Sequence, residues 1–315
     1  MNNKGLTLTE LLVTIIIIIV VLGAAYLTYI KILKGFKQES EKTATQIENI
    51  VGLEMLRLDL EHIGYGIPKD ENNLIIEWKD DPDKTKRSLT LRMTLNNTNQ
   101  KTRGYLISQC NSSNKLNITY DGREDKSNNY VVLIKAEDRS FVDKAADISN
   151  ISCESDKVYI AFPIRDEVYN GTSNACSVSY CEKITYKLSE ETNKNNEDSV
   201  KRCNPNTYNL IRRVGTSNTG GKPVLNCVAD WTVTFDTTDN DLSTNDKIRT
   251  NLKAINVYIL VQEGKYDREY TFKPDTSDNS GSYMLTDDGQ ALKLPQDYQH
   301  YRWKVLKIKV KPMDL

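Results

Sequence analysis

Lys4-Gly5-Leu6-Thr7-Leu8-Thr9-Glu10, followed by an uncharged run from Leu11 to Ile30, is the stretch that decides the fold. From Leu11 to Leu22 the only polar side chain is Thr14. At ~1.5 Å of rise per residue the run covers about 30 Å, the thickness of a bilayer's hydrocarbon core. In lipid the backbone must satisfy its own hydrogen bonds, so Ile and Val richness still implies a helix. A secretory signal peptide would have a shorter apolar region of about 7 to 15 residues with a small-residue cleavage site after it. Here the small residue, Gly5, comes first.

Outward from that stretch the helical pattern continues. Ile47, Ile50, Leu53, Leu56, Leu60 and Ile63 recur at steps of three or four, and Val51, Met55 and Leu58 widen the stripe. No proline occurs from Leu6 to Ile67. The reading is therefore one continuous helix to about His62, on the order of 85 Å long. Gly64-Tyr65-Gly66-Ile67-Pro68 ends it, since glycine permits the turn and Pro68 disfavours helix before it. The lower half, with one apolar face, needs a sheet to pack on.

Short segments rich in Val, Ile, Tyr and Thr then read as strands: 74–78, 88–93, 105–108, 116–120, 130–134, 158–162, 184–188, 210–214, 231–235, 255–261, 269–272 and 301–310. Polar, turn-rich segments separate them. No helical pattern of about 10 to 15 residues alternates with the strands, which argues against a parallel α/β fold. The expectation is an α+β chain: residues 1–5, residues 6–30 as a span, residues 31–66 as an amphipathic helix and residues 67–315 as a β-rich body. A subdomain break is expected near 140–156.

Lys plus Arg number 42 and Asp plus Glu 43 among 315 residues, so no global field draws in DNA or anionic lipid. A local basic patch could form around Arg202, Arg212 and Arg213. Six cysteines, Cys110, Cys153, Cys176, Cys181, Cys203 and Cys227, all follow the apolar run, as expected of disulfides in an oxidising compartment. Joining neighbours along the chain would pair Cys110 with Cys153, Cys176 with Cys181 and Cys203 with Cys227. With His62 and His300 the only histidines and no paired C-x-x-C spacing, zinc is disfavoured. Basic residues flanking the span, Lys4 on one side and Lys31, Lys34 and Lys37 on the other, would by the positive-inside rule place the body in the cytoplasm. The cysteines argue for the opposite side.

Three sets of residues could carry chemistry. Glu10 at the edge of an apolar span costs several kcal/mol to bury unless compensated, so it is a candidate for a selected pairing. Asp236, Asp239, Asp241 and Asp246 cluster on one loop and are candidate calcium ligands. A loop counted from Asp239 has Thr244 at its sixth position where an EF-type loop needs glycine, and its twelfth residue is not glutamate. Catalysis has no visible constellation: there is no G-x-S-x-G elbow, P-loop or H-E-x-x-H, so no enzyme is expected.

The order Lys4-Gly5, a hydrophobic residue, Glu10 five positions after the glycine, and then the span resembles the signal of type IV prepilins and secretion pseudopilins. Glu54-Met55-Leu56-Arg57-Leu58-Asp59-Leu60 with Gly64-Tyr65 resembles a segment near the helix end in PilW-like minor pilins and, more loosely, J-type pseudopilins of type II secretion. The resemblance implies cleavage by a prepilin peptidase after Gly5, methylation of the new N-terminus at Leu6, and a pairing of Glu10 with the neighbouring subunit's N-terminus. Leu6 departs from the phenylalanine commonest at that position. By resemblance, the partners are other minor and major pilins. The protein would lodge in the inner membrane with its body in the periplasm, then move to a pilus tip or the cell surface. A tip-displayed module binding DNA or a host surface would occupy the segment 74–174, which the resemblance does not explain.

Overall fold

The computed structural model describes residues 8–123, 130–145, 148, 151–164, 182–190, 192–193, 202–215, 221–274 and 283–313. One helix, α1, runs without interruption over Leu8–Glu61, 54 residues or about 81 Å. It stops where the glycines permit it: Gly64 and Gly66 adopt φ of 79° and 66°. At its C-terminus Met313 N–H donates to the Glu61 carbonyl at 2.9 Å, so the end of the chain satisfies an acceptor the helix cannot.

Two antiparallel sheets follow. The main sheet runs β1(Ile76–Lys79), β2(Ser88–Met93), β8(Glu182–Leu188), β9(Tyr208–Val214), β10(Lys222–Thr237), β11(Leu252–Glu263), β14(Arg302–Val310). Between β2 and β8 in the chain lies a five-stranded sheet, ordered β4(Leu116–Asp121), β3(Leu106–Cys110), β7(Val158–Pro163), β5(Val131–Lys135), β6(Phe141–Ala145). A hairpin of β12(Tyr283–Leu285) and β13(Ala291–Lys293) and a short helix α2(Asn245–Asn251) complete the described elements. Thr244 caps α2 by accepting from Lys247 N–H.

Strand alternation decides which face is covered. Along β8, Ile184, Tyr186 and Leu188 are buried while Lys183, Thr185 and Lys187 face outward. The inner face packs on Leu56, Leu60, Ile63 and Ile67, all fully buried. Each such burial is worth about 1.5–3 kcal/mol. Trp231 lies fully buried at the centre, edge-on to Trp78 with centroids 4.8 Å apart. The second sheet divides its side chains: Val132, Ile134 and Phe162 join this core, and Val131, Leu133, Tyr159 and Ala161 build another with Leu106, Cys110 and Leu116.

Several expectations change. Within the segment 140–156, Phe141–Ala145 form β6, the edge strand of the second sheet, and Ser152 bridges to Lys115 beside β4, so the described residues there pair with that sheet. Residues 269–272 form no strand; Tyr270 N–H and Phe272 N–H bond to the Asp267 and Gln299 carbonyls in an irregular loop. Strand β10 begins nine residues before 231, and its register shifts around Leu225 and Val228 interrupt the alternation that would have revealed it. Strands β6, β12 and β13 are only three to five residues long and carry little pattern.

The lower half of α1 departs most. Its buried residues are Thr45, Asn49, Gly52, Leu56, Asp59 and Leu60, while Ile47, Ile50 and Val51 are 59–65% exposed. Close approach to the sheet is the cause. A Cβ on Gly52 would lie 1.9 Å from the Val224 carbonyl oxygen, so no side chain fits at that position. Above Leu56 the bulky Ile47, Ile50 and Val51 face away.

Candidate functional site

The exposed part of α1 is the first element. From Leu8 to Phe36 the large apolar side chains stand 44–82% exposed, and Glu10 is the one charged residue between Leu8 and Ile30. Thr14 and Thr28 donate their hydroxyls to the Leu11 and Ala24 carbonyls at 2.8 and 2.9 Å, which removes the cost of placing them in hydrocarbon. Glu10 lies on α1 close to the first described residue, Leu8. Gly5 and Leu6 lie outside the described residues.

Ile47, Ile50 and Val51 continue this apolar surface past the span. Ile47, Val51 and Met55, with Val214, Pro223 and Val224 from the sheet, line an open cleft of about 700 Å³.

A buried polar clamp at Asp59 joins the helix to the sheet. Arg212 on β9 donates from Nε to Oδ2 at 2.6 Å and from Nη2 to Oδ1 at 3.1 Å. Tyr186 on β8 donates its hydroxyl to Oδ2 at 2.6 Å, and Asn97 Nδ2 reaches Oδ1 at 2.9 Å. Asp59 and Tyr186 are completely buried. Burial, then the adjacent carboxylate, pushes the Tyr186 hydroxyl well above its ordinary range, so it stays a donor. Burial works to lower the Arg212 pKa, but its bonds to Asp59 and that residue's charge carry it upward, so it stays a cation. Four acceptor sites on one carboxylate are thus filled from three separate segments. Sequence reading singled out the Arg57-Leu58-Asp59-Leu60 segment without seeing this role; a lone aspartate on the line of Leu56 and Ile63 was the available signal. Arg57 itself is on the surface, bonded to Glu54 and Glu61.

The candidate basic patch does not form. Arg212 is consumed by Asp59, Arg202 pairs with Glu48, and Arg213 lies 3.8 Å from Glu190. The four candidate calcium ligands are not brought together as a set either. Asp236 pairs with Lys309 at 2.8 Å, Asp241 with Lys247, and Asp246 with Lys69 at 3.3 Å, while Asp239 lies between them on the loop. Among the described residues no group of three or more His, Cys, Asp or Glu could hold a metal ion.

Disulfides join Cys110 to Cys153 and Cys203 to Cys227. Cys176 and Cys181 lie outside the described residues. The segment 74–174 divides in two: β1 and β2 complete the main sheet, and β3 to β7 form the second sheet, with the first disulfide in its outer core.

Residues 1–26 match the family model of the prokaryotic N-terminal methylation motif. No curated protein matches the chain. Among solved structures, a type IV-like pilin from Thermus thermophilus is similar over 86% of this chain and 97% of that chain, at 10% identity and a TM-score of 0.36. The matched motif spans Gly5, Leu6, Glu10 and most of the exposed apolar run.

Proposed function

We propose that this chain, which carries the N-terminal signal of the type IV pilin superfamily on a long helix packed against antiparallel sheet, is a minor pilin of a type IV filament, PilW-like in character. A prepilin peptidase would cleave after Gly5 and the new N-terminus at Leu6 would be methylated. The helix would lodge in the inner membrane with the β-rich body in the periplasm, then pack against other pilins in a complex that primes or tips the filament. The role is structural and not enzymatic.

One observation carries the reading: the matched motif runs directly into an apolar surface from Leu8 to Phe36 that the chain itself leaves uncovered. Such a surface needs lipid first and protein afterwards. Glu10 would bond the methylated amine of the neighbour's Leu6 and set the axial register. Ile47, Ile50 and Val51 extend the packing surface beyond the membrane. The second sheet supports a place at a filament end, where a subunit has fewer neighbours to accommodate added bulk.

The test is purification of the chain from membranes with its partners, followed by mass spectrometry of the N-terminus. The expected result is a methylated N-terminus at Leu6 and co-purifying pilins; an intact leader overturns the reading. Glu10→Ala should be cleaved normally yet enter filaments poorly, and normal incorporation would remove Glu10 from the account. A pseudopilin of a type II secretion system shares every feature used here, and loss of exoprotein release with piliation intact would select it.

A further inference from the structure

The helix sets the depth of everything fixed to it. With Ile30 at the end of the hydrocarbon core, Lys31 and Lys34 stand within about 6 Å of that boundary and Lys37 about 10 Å beyond it. The headgroup layer is on the order of 5–8 Å thick, and the usual tilt of about 20° shortens these heights. The loop 265–270 is held by partners from Lys34 to Glu41, about 6 to 16 Å beyond the boundary along the helix, so that its Glu269 end is the part nearest the headgroups. Lys34 Nζ contacts Glu269 at 2.5 Å, Gln38 donates to Asp267 at 3.3 Å, and Lys265 reaches Glu41 at 2.9 Å. The loop is braced from behind as well. Arg302 pairs with Asp267 at 3.0 Å and lies 4.2 Å over the Tyr270 ring, and Tyr266 is edge-on to Tyr301 at 5.5 Å.

Lys34, Lys37, Lys265 and Arg268 thereby surround a hollow of about 350 Å³ that also contains Asp267 and Glu269, with Tyr266 on its wall and 49% exposed. Both acids are engaged by Arg302 and Lys34. Lys37 and Arg268 have no ion pair among the described residues. We propose that this hollow seats the phosphate of an anionic phospholipid headgroup, with Lys37 and Arg268 as its ligands, the Lys37 side chain leaning back toward the membrane as side chains on a helix lean toward its N-terminus. The inference rests on the membrane-lodged reading of α1. It also accounts for a basic cluster on the side of the span that the positive-inside rule disfavours: these lysines hold lipid together with a folded loop and are not a free topogenic signal.

The experiment uses the full chain in nanodiscs of phosphatidylcholine mixed with phosphatidylglycerol, with retained lipids counted by native mass spectrometry. The expected result is enrichment of phosphatidylglycerol over its bulk fraction, falling about fivefold for each of Lys37→Gln and Arg268→Gln. Lys183→Gln, the same charge change on the far face of the sheet, should leave the enrichment unchanged. Equal retention of the two lipids, an equal effect of Lys183→Gln, or full displacement by inorganic phosphate would overturn the proposal while leaving the anchor intact. A chain that fails to enter nanodiscs at all would overturn the anchored reading as well.

Discussion

Between Leu8 and Leu33 helix α1 keeps its apolar side chains outside, and between Thr45 and Asp59 it buries the polar Thr45, Asn49 and Asp59 beside Gly52 and Leu56. The two halves share one backbone and one period, so the difference lies in what each faces. In the proposed role the first half meets hydrocarbon or other helices, where any apolar residue serves and backbone bonds are internal. The second meets a sheet so close at Gly52 that no side chain fits there, and at Asp59 it admits a charge that is fully bonded. Apolar patterning reports the surface that is cheap to hide. It does not report how closely two elements approach.

The largest expected effect comes from breaking the clamp. Asp59→Ala leaves the Arg212 cation buried beside an unpaired Tyr186 hydroxyl and should cost about 3–5 kcal/mol, read by thermal melting of the full chain in detergent. Asp59→Leu combined with Arg212→Met replaces the pair by apolar groups of similar bulk and should recover part of the loss. A loss under about 1 kcal/mol for the single variant would show that the helix is held by apolar contact alone.

Next is the close approach itself. Gly52→Val places a branched side chain where a single Cβ already meets Val224, and should destabilise by about 1–3 kcal/mol as the helix lifts from β10. Gly35→Val, with open space around it, should change melting little and serves as the matched control. If the two variants melt alike, contact with β10 is not what put small residues on this line.

Ile47, Ile50 and Val51 turn the comparison toward function. Replacing all three by Ser should leave melting within about 1 kcal/mol, since exposed substitutions away from special features do little, yet should reduce co-purification with other pilins. The reverse pattern, lost stability with normal partners, would mean that these side chains serve the fold.

How much of this was legible in the sequence follows from the same physics. The span, the single helix, its end at Gly64 and most strands were readable because each depends on a local pattern or a single residue's φ preference. Strand β2 is read with its limits unchanged. The orientation of the lower helix was not readable, because Ile47 and Ile50 look like a buried face until Gly52 is seen against Val224. The start of β10 was masked by its bulges, where Cys227 has a φ of 55°. Asp59 could be picked out as a charge on an apolar line, but its partners Asn97, Tyr186 and Arg212 lie 38, 127 and 153 residues away. Glu10 was readable as an anomaly because it alone interrupts the uncharged stretch from Gly5 to Ile30.

The smallest expected effect contrasts two carboxylates. Asp59 is buried and bonded across the fold; Asp241 is partly exposed and bonded locally, to Lys247 and to the Ser243 N–H at 3.0 Å. The Lys247 bond, then those from Ser243, lower the Asp241 pKa from its ordinary 3.8 to about 2. A lowered folded-state value means that the stabilising contribution is present above pH 3.8 and is lost as pH falls toward 2. An NMR titration of the Asp241 carboxyl should therefore have its midpoint near the lower value, and Lys247→Met should move it upward while melting at neutral pH barely changes. Because Lys247 already occupies the carboxylate, adding calcium should shift neither the titration nor the melt. A calcium-dependent shift lost in Asp241→Asn would instead show that this loop rearranges around a cation, and the comparison would then be between a fixed carboxylate and a mobile one.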